Sequence, residues 1–401
     1  MKLVVFAHTP PPHHGQSYMV QLMLKGFGGD ARRRKPGEVS PFGIDCYHVN
    51  ARFSETLADV GEFQGVKLVL IFWFCLQAIW LRFRYGVTNL YYVPAPGKPV
   101  ALYRDWLVML LCRPFFKRVI LHWHAAGLAK WLETSTAMSS RVITYRLFRP
   151  VDLSLVLSRF NFADAEKLLS HEIRVVSNGI PDPCPDFDAV VRPRRQAAFL
   201  ARKKIFAGEV PAAPMMVMVL FLAHCTREKG LFAAAQGVLR ANQELAVRRL
   251  SLRLKLVTAG NFVNTAEKAE FDRLRTDPVA ALTVVHAGFV SGSQKTELLR
   301  EAGLFLFPTQ YLGENQPVNL IEAMAYGLPL ITTRWRSLPE MLPADYPGLV
   351  NGQEPGEIAA AILKVLAEQS GEQARAHFCE RFTLERHLTS LAAALQSVER
   401  N

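Results

Sequence analysis

The chain has 401 residues, half of them hydrophobic and a fifth charged. At about 100–200 residues per domain this is the composition of a globular protein with two or three domains, and it excludes a low-complexity or fibrous chain. The formal charge of +12 is uneven: residues 1–180 hold 22 Lys/Arg against 12 Asp/Glu, and the remainder 25 against 23. A basic first half attracts anionic lipid, phosphorylated substrate or nucleic acid. No zinc-finger spacing, RNP-like aromatic motif or basic region with heptads is present, so no nucleic-acid partner is expected. The six cysteines are scattered with no CxxC, which argues for a reducing, cytoplasmic setting and against a disulfide framework or structural zinc.

The first apolar run is five residues long and meets His8 and three prolines. It is too short for a signal peptide and predicts a buried strand at residues 3–6. Further strands are predicted at 90–93, 118–122, 153–157 and 173–176. The longest apolar stretch, VKLVLIFWFCLQAIWL at 66–81, falls short of the ~20 residues that cross a bilayer. It is read either as a core helix or as a helix lying in a membrane interface, with Arg82 and Arg84 at the headgroups. Residues 178–214 are rich in proline and charge and read as a linker followed by an amphipathic helix. A second strand series is predicted at 216–222, 253–258, 282–286, 304–307 and 329–332. Helical patterns alternate with both series, which predicts α/β architecture: two Rossmann-like, doubly wound parallel-sheet domains. The boundary falls near residue 180, giving domains 1–180 and 181–383, with 384–401 as a helix returning to the first.

Ligands of such sheets bind beyond the carboxyl ends of the strands. The segment FPTQYLGENQPVNLIEAMAYGLPLITT, residues 307–333, follows one of them. A polar loop leads to a helix beginning near Pro317, with proline in its first turn, and Gly327 and Pro329 end it. The unpaired amides of a helix start form a phosphate site. Glu314 and Glu322 bracket that start and can accept hydrogen bonds from hydroxyls on either side of a diphosphate. A nucleotide sugar has that layout.

The run GENQPVNLIEAMAYGLP resembles the E-x7-E signature of family 4 of the glycosyltransferases, including its trailing EAMA-x-G-x-P. The resemblance implies a retaining enzyme of the GT-B fold, with two domains facing a central cleft. It makes Glu314 the contact to the donor sugar, Glu322 the contact to the ribose, and Val318 and Asn319 the diphosphate amides. FLAHCTREKGLFAAAQGV, residues 221–238, is similar to the family's phosphate-binding strand, loop and helix. Lys229 matches its lysine. His224 stands where the family has arginine, a weaker phosphate partner when neutral, and Arg227 is expected to compensate. AGFVSGSQKTELLREAG, residues 287–303, is similar to the segment edging the nucleotide base, so Gly288, Phe289 and Val290 are expected there. In the first domain, Gly15 and Gln16 begin a helix after the first strand and are placed near the phosphates. His122 and His124 point to one side of a strand. HxH could be half of a metal site, but no third and fourth ligands are evident. The family reading puts His124 at the donor sugar.

The catalytic candidates are therefore Glu314, His124 and Lys229. The expected reaction is sugar transfer from a nucleotide-diphosphate sugar to a saccharide or lipid-linked acceptor, for a polysaccharide or glycolipid of the cell envelope. No cofactor and no metal are expected. Alternatives are a nucleotide-sugar epimerase of the same fold and a non-catalytic nucleotide-sugar binder. The basic, aromatic-rich first domain suggests peripheral contact with an anionic membrane at its cytoplasmic face.

Overall fold

The computed structural model describes residues 1–11, 14–35, 37–53 and 65–400. The chain divides into two compact units, Met1–Gly179 with Leu384–Asn401, and Ile180–Thr383. The first unit is built on strands β1 (Lys2–Phe6), β2 (Asp45–Val49), β3 (Asn89–Tyr92), β4 (Arg118–Trp123), β5 (Val151–Val156) and β6 (Ser170–Val175). All pair in parallel, in the order β2-β1-β3-β4-β5-β6. Alternation along β1 divides the core in two. Val4 and Phe6 face one cluster, which contains Ile71, Cys75, Ala78 and Leu81 of helix α2 (Gly65–Tyr85) and Leu102, Val108 and Met109 of helix α3 (Pro99–Cys112). Leu3 and Val5 face the other, with helix α1 (Gly15–Gly26) and Leu388, Leu391 and Leu395 of the final helix, Leu384–Arg400. Both faces are covered, as a parallel sheet requires.

The second unit holds β7 (Met215–Leu222), β8 (Leu252–Ala259), β9 (Val284–Gly288), β10 (Leu304–Phe307), β11 (Leu330–Thr333) and β12 (Leu349–Val350). Its order is β12-β11-β10-β7-β8-β9, again parallel. The order reverses between β7 and β10, which are neighbours in space and far apart in sequence. A topological switch point of this kind opens a crevice at the strands' carboxyl ends, because the connecting helices leave in opposite directions.

The segment read as a linker followed by an amphipathic helix contains that helix. Its helix, Arg192–Phe206, packs into the second unit through two buried guanidiniums. Arg195 donates to the carbonyls of Leu299 (2.9 Å), Ala302 (2.7 Å) and Tyr326 (2.7 Å), and Arg202 to those of Leu366 (3.0 Å) and Gln369 (3.1 Å). These carbonyls lie at helix C-terminal ends, where nothing within the helix can satisfy them. A cation there also meets the negative pole of the macrodipole. The charged face of this helix is thus a capping device, and burial lowers both guanidiniums to about 10.

Candidate functional site: the β7–β10 switch point

The loops after β7 and β10 are pressed together. Gly230 has φ +89°, and a Cβ there would lie 2.3 Å from the Pro308 carbonyl oxygen. Any side chain would drive the two loops apart, so the glycine after Lys229 is a close-approach residue. The Gln310 amide donates to the Glu228 carbonyl at 2.8 Å, tying one loop to the other. The Trp335 indole N–H supports the second loop from beneath through the Tyr311 carbonyl, at 2.8 Å.

This contact brings Lys229 to Glu314, 85 residues away. Lys229 Nζ donates to Glu314 Oε2 at 2.7 Å, and the Thr309 hydroxyl donates to the same oxygen at 3.0 Å. Glu314 is only 6% exposed, so its charge depends on these partners. The ammonium also lies over the Tyr311 ring at 4.4 Å and the Phe307 ring at 5.6 Å, a cation–π environment. His224 is close enough for the lysine to act on it. Burial first, and then the Lys229 charge, pull its pKa below the usual imidazole value, and its buried Nδ1 has no hydrogen-bond partner among the described residues. At neutral pH it is an uncharged ring beside a cation.

Arg227 is placed elsewhere. It is exposed, its Nη2 lies 2.5 Å from Glu270 Oε1, and its guanidinium sits over Phe232 at 4.4 Å. Its backbone N–H donates to Glu267. Both acids belong to the helix Thr265–Leu274, so the compensation expected for His224 is not formed in this arrangement.

The helix expected near Pro317 begins one residue later. It spans Val318–Ala325, and Pro317 is its N-cap rather than a first-turn residue. Val318 and Asn319 occupy the first two helical positions, whose amides have no preceding helical carbonyl to bond. The Asn319 side chain holds this end in place, donating to the Leu222 carbonyl at the end of β7 (2.6 Å) and accepting from the Leu320 amide (2.8 Å). The other end closes with a Schellman pattern. Gly327, φ +59°, donates to Met324, and Leu328 to Ala323.

Glu322 lies in the second turn and is paired as well. Lys295 Nζ, on the helix Gly292–Glu301, donates to Glu322 Oε1 at 2.6 Å. Sequence reading did not single out Lys295. It is one of many exposed-looking lysines, and nothing in its spacing points 27 residues ahead. Each glutamate of the bracket is therefore held by a lysine, with the helix start between them. Gly288 ends β9 with φ +70° and accepts from the Gly260 amide at 2.7 Å, Phe289 is exposed, and Val290 is buried.

The first-unit candidates form their own group. Gly15 and Gln16 open α1, whose N-cap is His14 in a reciprocal capping arrangement with Ser17. His8 and His14 approach Nε2 to Nε2 at 2.8 Å. The rings of His122 and His124 stack at 4.2 Å, consistent with two residues on one side of a strand. The Tyr91 hydroxyl meets His122 Nδ1 at 2.5 Å. The Nε2 atoms of both His122 and His124 are buried and without partners among the described residues. Burial, His387 and His14 hold His124 down to about 3, so the ring is neutral across the physiological range. Among the described residues no group of three or more His, Cys, Asp or Glu side chains gathers as a metal site.

Residues 217–368 match the family model described as Glycosyl transferases group 1. This segment takes in most of β7, all of β8–β12 and both lysine–glutamate pairs. WcaL of Escherichia coli strain K12, named for a colanic acid biosynthesis glycosyltransferase, is 25% identical over 144 residues, 35% of this chain and 33% of that protein. WcaL of Salmonella typhimurium is 24% identical over 200 residues, 47% of each chain. The chain thus spans about a third to a half of the curated relatives it matches. Among solved structures, sucrose-phosphate synthase of Thermosynechococcus elongatus superposes over 100% of both chains with a TM-score of 0.65 at 17% identity. HepE of Anabaena in complex with UDP covers 99% of this chain and 100% of its own, with a TM-score of 0.63 at 13% identity. The lipopolysaccharide outer core galactosyltransferase WaaB covers 99% of both, with a TM-score of 0.61 at 14% identity. These likenesses establish the fold class as GT-B, two Rossmann-like parallel-sheet units.

Proposed function

We propose that the chain is a retaining glycosyltransferase that takes a sugar from a nucleotide-diphosphate donor held at the β7–β10 switch point. The observation behind this reading is the pair of lysine-held carboxylates flanking a helix start, Lys229–Glu314 on one side and Lys295–Glu322 on the other. Anionic oxygens suit the first-turn amides and Lys229, whereas the carboxylates suit neutral hydroxyls. Glu314 then takes the sugar hydroxyls and Glu322 the ribose. The carbonyl and amide groups of Gly288, Phe289 and Val290 take the base. His224 can donate one hydrogen bond to a phosphate from its neutral ring.

The reaction is front-face displacement. The bond from the anomeric carbon to the diphosphate oxygen breaks, and the acceptor oxygen bonds to that carbon on the same face. The acceptor's proton passes to the departing diphosphate. A double displacement would need a free carboxylate beneath the sugar. Glu314, the buried carboxylate here, is already engaged by an ammonium and a hydroxyl. The protein contributes preorganised positive potential where charge accumulates on the leaving group. The chain is similar to proteins named for colanic acid biosynthesis and for the lipopolysaccharide outer core, so an envelope saccharide or glycolipid is the acceptor this reading favours.

Nucleoside diphosphate release from UDP-, GDP- and ADP-sugars, with and without a detergent-solubilised envelope glycolipid extract, tests the reaction. Release that depends on the extract, with the anomeric configuration kept in the product, is expected. Turnover without any acceptor, accompanied by inversion at C2 of the sugar, would identify an epimerase instead. A protein that binds donor and releases nothing in either arm is a binding module.

A further inference from the structure

Helix α2 has apolar residues on every side, a pattern that normally marks a fully buried helix. In this fold only one stripe is buried. Ile71, Cys75, Ala78 and Leu81 pack into the first-unit core against the sheet and α3. On the opposite side Val69, Phe72, Trp73, Leu76, Trp80 and Phe83 are exposed, with Trp73 at 56%, Leu76 at 60% and Phe83 at 66%. The sequence offered core or interface as alternatives, and the helix has one face for each. Phe115 extends the exposed face, and α3 carries exposed apolar residues of its own. Tyr103 and Leu110 of α3 and Phe115 just beyond it are also exposed, and the Phe115 ring lies 6.0 Å from that of Phe83.

The sequence that carries this face is strongly basic. Between residues 65 and 118 there are eight Lys/Arg and one acid, Asp105, which is buried and paired with Arg104. Among the described residues, no carboxylate pairs with Arg82, Arg84, Lys98, Lys117 or Arg118. Arg82 donates to the Phe115 carbonyl at 2.8 Å, which fixes the arginine at the edge of the aromatic cluster. An apolar, tryptophan-bearing face rimmed by unpaired cations complements an anionic lipid surface: rings at headgroup depth, guanidiniums on phosphates.

The helix is longer than the apolar run suggested. Its stretch Leu68–Tyr85, mean hydropathy 1.4, is long and apolar enough to cross a membrane by length and composition alone. Its packing argues against crossing. The stripe at Ile71, Cys75, Ala78 and Leu81 belongs to a core that also contains Val4 and Phe6 of β1, and a spanning helix would strip that core bare.

We infer that the exposed face of α2, with Phe115, is a membrane-docking surface that lies in the interface of an anionic bilayer without spanning it. The inference stands on the first unit alone and does not depend on the donor-site reading. It is tested with the full-length protein by co-sedimentation on phosphatidylcholine vesicles with and without phosphatidylglycerol. Three proteins are compared: wild type, Trp73→Glu/Trp80→Glu, and Arg84→Glu/Lys117→Glu. The replaced side chains are exposed, and far-UV circular dichroism checks that the fold is kept. Wild type is expected to bind the anionic vesicles at least tenfold more tightly than neutral ones, with a blue shift of tryptophan emission. The tryptophan variant should lose binding on both, and the charge variant should lose the preference for anionic lipid. The proposal is overturned if wild type binds neither vesicle, or if the tryptophan variant binds as well as wild type. It is equally overturned if binding resists an alkaline wash, which means a spanning helix, or if lipid-free wild type self-associates through Trp73 and Trp80, which means a second copy covers the face.

Discussion

Replacing Lys229 with alanine is expected to lower kcat/KM for the donor by about 10²–10³, the loss typical of one preorganised group removed from developing negative charge. Most of the loss should fall in kcat, because the ammonium's strongest partner forms as the diphosphate departs. A second consequence follows from the ground-state contact. Lys229 is the partly exposed cation paired with the buried Glu314, and its removal leaves, among the described residues, the Thr309 hydroxyl as the side-chain partner on Oε2. Breaking a fully buried pair from one side costs about 3–5 kcal/mol; with the ammonium partly exposed the cost is smaller, and a lower melting temperature is expected together with the kinetic defect. Lys229→Ala/Glu314→Gln separates the two. Removing the stranded charge should restore most of the stability and none of the turnover. A double variant that regained activity would mean that Lys229 acts only as a structural partner of Glu314.

The buried histidines of the first unit predict acid sensitivity. Burial holds His387 down to about 4, and burial with His387 and His14 holds His124 down to about 3, against a usual value of 6.5. In the unfolded chain both return to that usual value. Their contribution to stability is complete above about pH 6.5, where both states are neutral. It is lost as the pH falls below 6.5, because the unfolded chain then binds protons that the folded chain refuses. At about 1.4 kcal/mol per pH unit for each group, the two together should cost roughly 3–4 kcal/mol between pH 7.5 and 5. Urea unfolding at the two pH values measures this, and His124→Gln/His387→Gln should flatten the dependence. Equal midpoints for wild type at both pH values would contradict the neutral, buried state assigned to these rings.

The architecture was legible because parallel strands covered on both faces are written as short continuous apolar runs. Every predicted run corresponds to a strand, most with ends shifted by one to three residues. The run at 282–286 begins too early, since Leu282 lies in the helix Pro278–Thr283 and the strand continues to Gly288. Two strands were not visible. β2, Asp-Cys-Tyr-His-Val, is an edge strand carrying polar residues, and β12 is two residues long. In the site, the local signals were the readable ones: a helix start, its Schellman end, and two glutamates eight residues apart. The contacts made by distant side chains were not. Lys295 reaches Glu322 from another helix, Arg227 is drawn off by Glu270, and Arg195 caps three carbonyls from the helix that follows the linker. These depend on tertiary placement, and a lysine or arginine that caps or pairs has the same local sequence as one that is merely solvated.

Titration of the purified protein with UDP, GDP and ADP, followed by calorimetry and by thermal shift, bears most directly on the assignment of the donor site. A ligand that binds only the folded state must raise its apparent stability. One nucleoside diphosphate class is predicted to bind and to raise the melting temperature. Glu322→Ala should abolish binding, and Lys295→Met should weaken it by freeing the Glu322 carboxylate. If none of the three diphosphates binds at millimolar concentration, or if Glu322→Ala binds as wild type does, the nucleotide is not held at the β7–β10 switch point and the assignment fails.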